Sequence, residues 1–226
     1  MNDKLILHFK PHQYKQSKKV DNYFTTHKIE PPKFKILSND IIKQFCNTDN
    51  LNADINGYGL KVSFNPNKIN GYKYNTHPLT YKEFENAIKE TQENLYNIGI
   101  DTNITVGNII RYDTSFDIIL PQNYIKYEPL ISTLANTTKP LRRGKNRMQS
   151  NTLYVGNKSN EIAIYDKTKE QELSENVIRI ENRHLKIKTK NKIQLSTVTP
   201  EKFKLIRTQD KKQIQQVIFN KNPYLM

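Results

Sequence analysis

The sequence predicts an α+β protein with a mainly antiparallel sheet and helices packed on one side. From Gly59 onward the predicted elements follow the order β-α-β-α-β-β-β-α, in which strands and helices alternate first and strands then run together. The later strands also alternate between apolar and polar residues, so each has one face suited to a core and one polar face. Both observations favour a sheet that is covered by helices on one side.

Periodicity and end signals define the individual elements. Leu60, Val62 and Phe64 alternate in a strand, and a capping box of Thr80 and Glu83 begins a helix that Gly99 ends. Next in chain order, "ITVGNIIRYDTSFDIIL" is predicted as a long strand or as two strands joined at Gly107, "NYIKYEPLISTLAN" as a short helix and "TKPLRRGKNRMQ" as a basic loop. After them come a hairpin of "TLYVG" and "EIAIYD", a strand in "NVIRIENRHLKIKTK" and a closing helix with Pro200 at its first position.

Residues 1–58 are less regular and are predicted as an N-terminal appendage to a main domain of residues 59–226. "KLILHF" suits a strand, and the paired prolines make "IEPPKFKIL" extended. "SNDIIKQFC" is predicted as a short helix capped by Ser38 or Asn39. This appendage either recognises a partner or adds strands to the sheet.

The charge of the chain points to a polyanionic partner. The 226 residues include 36 Lys and Arg against 22 Asp and Glu, which gives a net charge of +14. An excess of this size is typical of proteins that bind nucleic acid. The alternative is that an AT-rich genome favours Lys and Asn codons, which would produce the same positive charge without a nucleic-acid partner.

Cysteine usage and hydropathy exclude two other classes. The single Cys46 allows no disulfide within the chain, which suggests a reducing compartment. The apolar run "LIL" near the N-terminus is too short for a signal peptide, and no run approaches membrane-spanning length. We therefore expect a cytoplasmic protein with no membrane partner.

Three predicted strands carry a polar face with the residue types of a phosphoryl-transfer site. Asp113 and Asp117 share one face with Arg111, and Tyr165 and Glu181 lie on the matching faces of the later strands. Carboxylates without thiolates suit Mg²⁺ or Mn²⁺. A nearby metal ion or Lys167 would favour the phenolate form of Tyr165. The alternatives are an ordinary solvated sheet face and a tyrosine that only packs.

Four short motifs in order resemble a known family. "IIRYDTSFDI", "TLYVG", "IYDK" and "VIRIENR" are similar to the motifs of rolling-circle replication initiators of the filamentous-phage gene II type and of plasmid replication initiation factors. The resemblance covers residues 59–190. It implies a ferredoxin-like core of the HUH-endonuclease type and makes residues 59–226 a nicking-joining endonuclease domain.

The resemblance also assigns roles to residues. Tyr165 would be the nucleophile that becomes joined to a 5′ phosphate, and Lys167 would assist at that phosphate. Asp113 and Glu181 would bind a divalent metal ion, Mg²⁺ or Mn²⁺, with Asp117 as a further possible ligand. The partner would be single-stranded or origin DNA.

The sequence departs from this family pattern in two respects. No pair of histidines flanks a single apolar residue, so a metal site would consist mostly of carboxylates. His184 alternates to the face opposite Glu181 unless a bulge intervenes. There is also no G-x-x-x-x-G-K-[ST] loop, so strand separation would require a separate helicase.

Basic residues around these motifs are candidates for DNA contact. They belong to the basic segment before the hairpin, the later strand and the polar face: Arg142, Arg143, Lys145 and Arg147; Lys186 and Lys188; Arg111 and Arg179. The lysines have an alternative explanation as protection of a strand edge.

The sequence therefore favours a metal-dependent DNA-nicking and rejoining enzyme. Two other functions stay open. One is a basic DNA-binding module without catalysis, and the other is a hydrolytic metal-dependent nuclease in which Tyr165 only packs.

Overall fold

The computed structural model describes residues 3–16, 33–36, 42–47, 50–72, 76, 78–137, 144–187 and 192–218, and for 33–36, 42–47 and 137 it describes the backbone alone. The strands are β1 (Lys4–Phe9), β2 (Tyr14–Gln16), β3 (Lys33–Ile36), β4 (Ile42–Asn47), β5 (Leu51–Asn56), β6 (Gly59–Phe64), β7 (Ile100–Thr102), β8 (Asn108–Ile119), β9 (Lys145–Gln149), β10 (Thr152–Gly156), β11 (Asn160–Asp166), β12 (Val177–His184) and β13 (Ile193–Gln194). The α-helices are α1 (Pro66–Ile69), α2 (Tyr81–Asn97), α3 (Glu128–Thr137), α4 (Lys167–Gln171) and α5 (Pro200–Ile218).

The predicted α+β class is confirmed. The strand pairs whose register is described are all antiparallel. The predicted order β-α-β-α-β-β-β-α corresponds to β6, α2, β8, α3, β10, β11, β12 and α5. Mixed helices and antiparallel strands in this order are consistent with a core of the HUH-endonuclease type.

The chain forms two compact units. The N-terminal unit comprises 2–111 and 188–200, and the C-terminal unit comprises 112–187 and 201–226. The predicted division after residue 58 falls in the tight turn between β5 and β6, where Asn56 pairs with Gly59. A separate role for residues 1–58 stays a prediction of function.

In the N-terminal unit, alternate residues of paired strands are buried. Leu7 pairs with Val62 and Phe9 with Leu60, and all four side chains are 0% exposed. The strand order is β3-β4-β5-β6-β1, so β4 has a partner on each side. The predicted helix in "SNDIIKQFC" is therefore wrong for residues 42–47, because two backbone ladders outweigh a weak local helix signal.

Helix α2 begins and ends as the sequence predicts. The Thr80 hydroxyl accepts from the Glu83 N–H at 3.2 Å, and the Glu83 carboxylate accepts from the Thr80 N–H at 2.7 Å. Past the helix, Gly99 adopts φ 82°, which favours glycine. The buried helix residues recur every three or four positions and so share one face of the helix: Phe84, Ala87, Ile88, Thr91 and Leu95.

In the C-terminal unit, the strand order is β8-β12-β11-β10-β9. One face of this sheet packs against the helices, as predicted. Ile131 of α3 and Ile214 of α5 join Leu153, Ile162 and Ile180 of the strands in a single buried core. The polar side chains that alternate with these strand residues therefore project from the other face.

The predicted basic loop before the hairpin is wrong for residues 145–149, which form β9. This strand pairs with β10 through a two-residue turn at Ser150 and Asn151, with φ values of 45° and 63°. Two consecutive positive φ values are the geometry of a tight hairpin turn, and asparagine tolerates them. The positive charges of Lys145 and Arg147 obscured this strand in the sequence.

The predicted hairpin of "TLYVG" and "EIAIYD" is confirmed as β10 and β11. Gly156 allows the two strands to approach, because a Cβ there would lie 2.5 Å from both the Asn160 carbonyl oxygen and the Glu161 Cα. Both contacts are with backbone atoms, so neither can move aside without shifting the strand. The glycine of this motif is thus required by packing.

We expect Gly156→Ala to destabilise the protein by about 1–3 kcal/mol through overpacking of the hairpin. Urea denaturation followed by circular dichroism measures the change. Gly57→Ala is the matched control, because a Cβ at Gly57 meets nothing within 4 Å. Equal stability of the two variants would contradict the packing role of Gly156.

Candidate active site

The polar face of the C-terminal sheet consists of the residues that alternate with the core residues on β8, β11 and β12. They are Asp113, Ser115, Asp117, Glu161, Ala163, Tyr165, Arg179, Glu181 and Arg183. Register aligns them in rows: Tyr165, Arg179 and Asp117 lie opposite one another, and so do Glu161, Arg183 and Asp113. The predicted face of each of these strands is confirmed.

This face is mostly buried. Asp113, Glu161, Glu181 and Arg179 are all less than 9% exposed. A solvated sheet face would expose its charged side chains, so the ordinary alternative does not account for this one. Buried charges require partners, and the polar face supplies them from its own neighbouring strands.

Tyr165 and Glu181 are in direct contact. The Tyr165 hydroxyl donates to Glu181 Oε1. Arg183 donates from both Nε and Nη2 to Glu181 Oε2, at 2.6 Å each. Burial alone would lower the pKa of Arg183, but the Glu181 carboxylate, with a smaller contribution from Asp113, more than compensates and raises it. Glu181 is thus held between a permanent cation and the phenol.

A second carboxylate extends this network across the sheet. Glu161 Oε1 accepts from Arg183 at 3.4 Å, and Glu161 Oε2 accepts from Arg147 of β9 at 2.9 Å. The Arg147 guanidinium also lies 4.4 Å from the centre of the Tyr154 ring. Alternating arginines and carboxylates therefore connect the edge strand β9 to Tyr165.

Asp117 binds Arg179 in a two-point ion pair. The Arg179 Nε and Nη2 atoms each donate to a different Asp117 oxygen at 2.6 Å, and Arg179 is fully buried. This arrangement accounts for Asp117 as a counter-ion. It also places Arg179, a predicted DNA contact, inside the site rather than at the surface.

Lys167 lies beside the tyrosine, immediately after β11 ends. Its side chain is 0% exposed, and its ammonium group donates to the Glu170 carboxylate. The Nζ atom is 5.7 Å from the centre of the Tyr165 ring. Asp166 begins α4 by accepting from the Lys169 N–H at 3.2 Å, so the turn that caps the helix also positions Lys167.

The donor set for a divalent ion is present in part. Asp113 and Glu181 face the same side of adjacent strands, diagonally across the ladder. Within the described part of the chain, no three histidine, cysteine, aspartate or glutamate side chains form a ready metal site. Mg²⁺ commonly binds one or two carboxylates and completes its shell with water and substrate phosphate, which two carboxylates on this face can satisfy.

His184 projects to the opposite face, as its alternation predicts. Its ring stacks on Tyr112 with centroids 4.2 Å apart, and Nε2 lies 2.8 Å from Asp210 Oδ1 of α5. It therefore does not join Glu181. Asp210 interrupts the buried stripe of α5 between Ile206 and Ile214, and a charged residue in an apolar stripe was the signal for this contact.

The other predicted DNA contacts fall in three places. Lys145, Arg147 and Lys186 are exposed, whereas Arg111 is half-buried on β8. Arg142, Arg143 and Lys188 lie outside the described residues. Sequence reasoning overlooked Arg183, Glu161 and Tyr154 as parts of the site, although Arg183 and Glu161 alternate in phase with Glu181 and Tyr165.

The fold is consistent with one class of protein. An antiparallel sheet with helices packed on one side suits a core of the HUH-endonuclease type, which is the class that the sequence resemblance implies. A comparison with protein families gives the particular family. Residues 74–216 match the family described as the N-terminal region of the phage replication-associated protein, the gene II protein, and the chain belongs to it.

Family membership establishes the general role. The chain is a rolling-circle replication initiator of the filamentous-phage gene II type and acts on DNA. No curated protein matches the chain. None of the helices among the described residues has the length and apolar character that crossing a membrane requires.

We expect Asp117→Asn to reduce the free energy of unfolding by about 3 kcal/mol, because it removes the carboxylate that accepts two hydrogen bonds from the buried Arg179 guanidinium. Urea denaturation measures the loss. Glu175→Gln removes an exposed charge from the same unit and should change stability by no more than about 0.5 kcal/mol. If both variants unfold at the same urea concentration, the ion pair does not stabilise the site.

Proposed function

We propose that this initiator nicks one DNA strand by transesterification through Tyr165 and later rejoins it. The observation that carries the proposal is the placement of Tyr165. Its hydroxyl, at the end of β11, is hydrogen-bonded to Glu181, and its ring centre lies 5.7 Å from the buried Lys167 ammonium. A nucleophilic tyrosine requires an acceptor for its proton and positive charge near the developing phenolate.

In the proposed reaction the Tyr165 oxygen attacks the phosphorus of one phosphodiester. The bond from phosphorus to the 3′ oxygen breaks, and a new bond joins phosphorus to the tyrosine. The phenolic proton leaves along the hydrogen bond to Glu181, and the departing 3′ oxygen takes up a proton. The free 3′ hydroxyl then primes synthesis, and its attack on the phosphotyrosine reverses the step without ATP.

The other residues of the polar face keep this geometry. Arg183 holds Glu181 from the side away from the phenol, and Glu161 holds Arg183 in turn. Lys167 stands next to the ring, where its charge favours the phenolate. Lys145 and Arg147 are exposed on β9 and suit contact with the phosphate backbone.

A divalent metal ion, Mg²⁺ or Mn²⁺, is part of the proposal. Asp113 and Glu181 would hold it, with Asp117 as a ligand only if its pair with Arg179 opens. When bound, such an ion polarises the phosphate and stabilises developing charge. Strand separation is proposed to come from a separate helicase.

The two alternative functions differ from the proposed one because neither forms a covalent protein–DNA adduct. A DNA-binding module would bind without cutting, and a hydrolytic nuclease would release free 5′ phosphate ends. Neither would leave protein on the DNA. A covalent adduct therefore separates the proposed function from both.

We expect Tyr165→Phe to abolish a covalent adduct with DNA, because phenylalanine keeps the ring and removes the attacking oxygen. Labelled single-stranded oligonucleotides tiled across the DNA around the gene are incubated with Mn²⁺ and the wild-type protein. A denaturant-resistant, slower-migrating band reports the adduct. Binding of the same oligonucleotide by the variant should change less than about threefold, since most affinity comes from phosphate contacts.

Tyr154→Phe is the matched control, because Tyr154 lies on the neighbouring strand β10 opposite Ala163, close to Tyr165. It should form the adduct. An adduct that persists in Tyr165→Phe and disappears in Tyr154→Phe would identify Tyr154 as the nucleophile. If the wild-type protein binds the oligonucleotides but forms no adduct on any of them, the protein is a DNA-binding module without catalysis.

We expect removal of divalent metal by EDTA to reduce adduct formation at least about tenfold and Mn²⁺ to restore it, because the phosphate then lacks its main positive charge. Asp113→Asn should require a higher Mn²⁺ concentration for half-maximal rate, since one ligand loses its charge. Asp101→Asn, an exposed site on β7, is the control. Full activity in EDTA would exclude metal dependence.

A further inference from the structure

A cleft of about 630 Å³ lies in the C-terminal unit beside the candidate nucleophile. Tyr165 lines one part of it, and the turn at Ser150 and Asn151 lines another. Asn176 and Lys169 lie along the rest of the wall. In the proposed reaction, the residues of the polar face contact the phosphate that is attacked. The reaction assigns no role to this cleft.

A second cleft of about 530 Å³ adjoins it. Ile125, Ser150 and Asn151 line both clefts, so the two meet at the turn after β9 and are together called the groove. Ile125 is 66% exposed and Met148, in the second cleft, is 39% exposed. A groove that passes the nucleophile and continues with apolar side chains on its wall suits an extended chain better than a compact small molecule.

The charges of the cleft favour a neutral group over a phosphate. Among the described residues that line it, Lys169 is offset by Asp166, and Glu170 is paired with Lys167, so the wall carries no excess of positive charge for an anion. Its other polar groups are amides and hydroxyls. Amides reading base edges and apolar or aromatic groups contacting base faces are the usual means of binding unpaired bases.

We infer that this cleft binds an unpaired nucleobase of the nucleotide that flanks the scissile phosphate. The inference rests on the proposed function, in which that phosphate meets Tyr165. The strand crosses the tyrosine with its phosphate toward the polar face and the adjacent base in the cleft. A base in a duplex is stacked and paired, so this site requires single-stranded DNA at the nick.

Two asparagines are the specificity-determining side chains of the cleft. Asn151 is held in place because its carbonyl accepts from the Tyr124 hydroxyl at 2.7 Å. Asn176 is held because its carbonyl accepts from the Leu120 N–H at 2.7 Å. Both anchors use the backbone carbonyls of the asparagines, so the side-chain amides can be removed without losing them.

The test measures base-specific binding, separately from cutting. The tiled oligonucleotide that binds most tightly is substituted with 2-aminopurine at each position in turn and titrated with the Tyr165→Phe protein. We expect a fluorescence change of at least about twofold at one or two adjacent positions. An abasic site at that position should weaken binding about tenfold, the size of one lost base contact.

Variants of the cleft then show whether the base occupies it. In Asn151→Gly, which keeps the left-handed turn, and in Asn176→Ala, the abasic site should weaken binding less than about threefold. The matched controls are Glu172→Gly, an exposed residue with φ 51°, and Asn136→Ala on α3. In both control variants the abasic site should still weaken binding about tenfold. The charge lost in Glu172→Gly changes the affinity for the intact and the abasic oligonucleotide equally, so the ratio of the two affinities stays the same.

The outcomes separate this inference from the proposed function. An abasic effect of the same size in the cleft variants and the controls, or no sensitive position at all, overturns the base site even if the wild-type protein forms an adduct. Loss of the effect in the cleft variants alone supports the base site. If that loss occurs and the wild-type protein forms no adduct on this or any other tiled oligonucleotide, the cleft binds a base and the proposed nicking reaction is wrong.

Discussion

The ladder between β11 and β12 is the constraint on which the site depends. Its register places Tyr165 opposite Arg179 and diagonally across from Glu181, which lies two residues further along β12 on the same face. Because side chains alternate with a period of two, a slip of one residue would turn Tyr165 and Glu181 toward the helix-covered core and bring Ile164 and Ile180 to the polar side. The apolar core of the C-terminal unit therefore fixes the geometry of the chemistry on the other face.

The polar face shows how a sheet can bury many charges. Arginines and carboxylates alternate, so Arg147, Arg179 and Arg183 each have a carboxylate within hydrogen-bond distance. The carboxylate lies on the same strand for Arg183, on the next strand for Arg179 and two strands away for Arg147. Such pairs add little net stability compared with apolar side chains, but removing one partner is costly. The network thus acts as a rigid support that keeps Glu181 and the phenol in one orientation. Rigid placement of a nucleophile is a large part of what an active site must supply.

The end of β11 combines three structural tasks in consecutive residues. Tyr165 is the last residue of the strand on the polar face, Asp166 caps α4, and Lys167 begins that helix. The sharp change from strand to helix brings the lysine back beside the tyrosine ring. It also leaves space beyond the strand end, where the cleft lies. One short motif therefore sets both the charge next to the phenol and one wall of the cleft in which we propose that a base binds.

Much of this could be predicted from the sequence by itself. Alternation and end signals determined the α+β class, the hairpin, helices α2 and α5, and the faces of β8, β11 and β12, because these depend on local periodicity. The order of the short motifs determined the family. Strand β4 could not be predicted, since pairing with distant strands decided its conformation. Strand β9 was hidden because its basic residues resemble a loop.

Only the tertiary structure decided which charges meet. The sequence placed Glu181, Glu161 and Arg183 in phase, but their partners depend on register between strands that are far apart in the chain. It also could not show that Arg179 is fully buried against Asp117, or that a turn near residue 150 and the strand end at residue 165 enclose one cleft. Periodicity determines which way a side chain points, whereas packing alone determines what it touches.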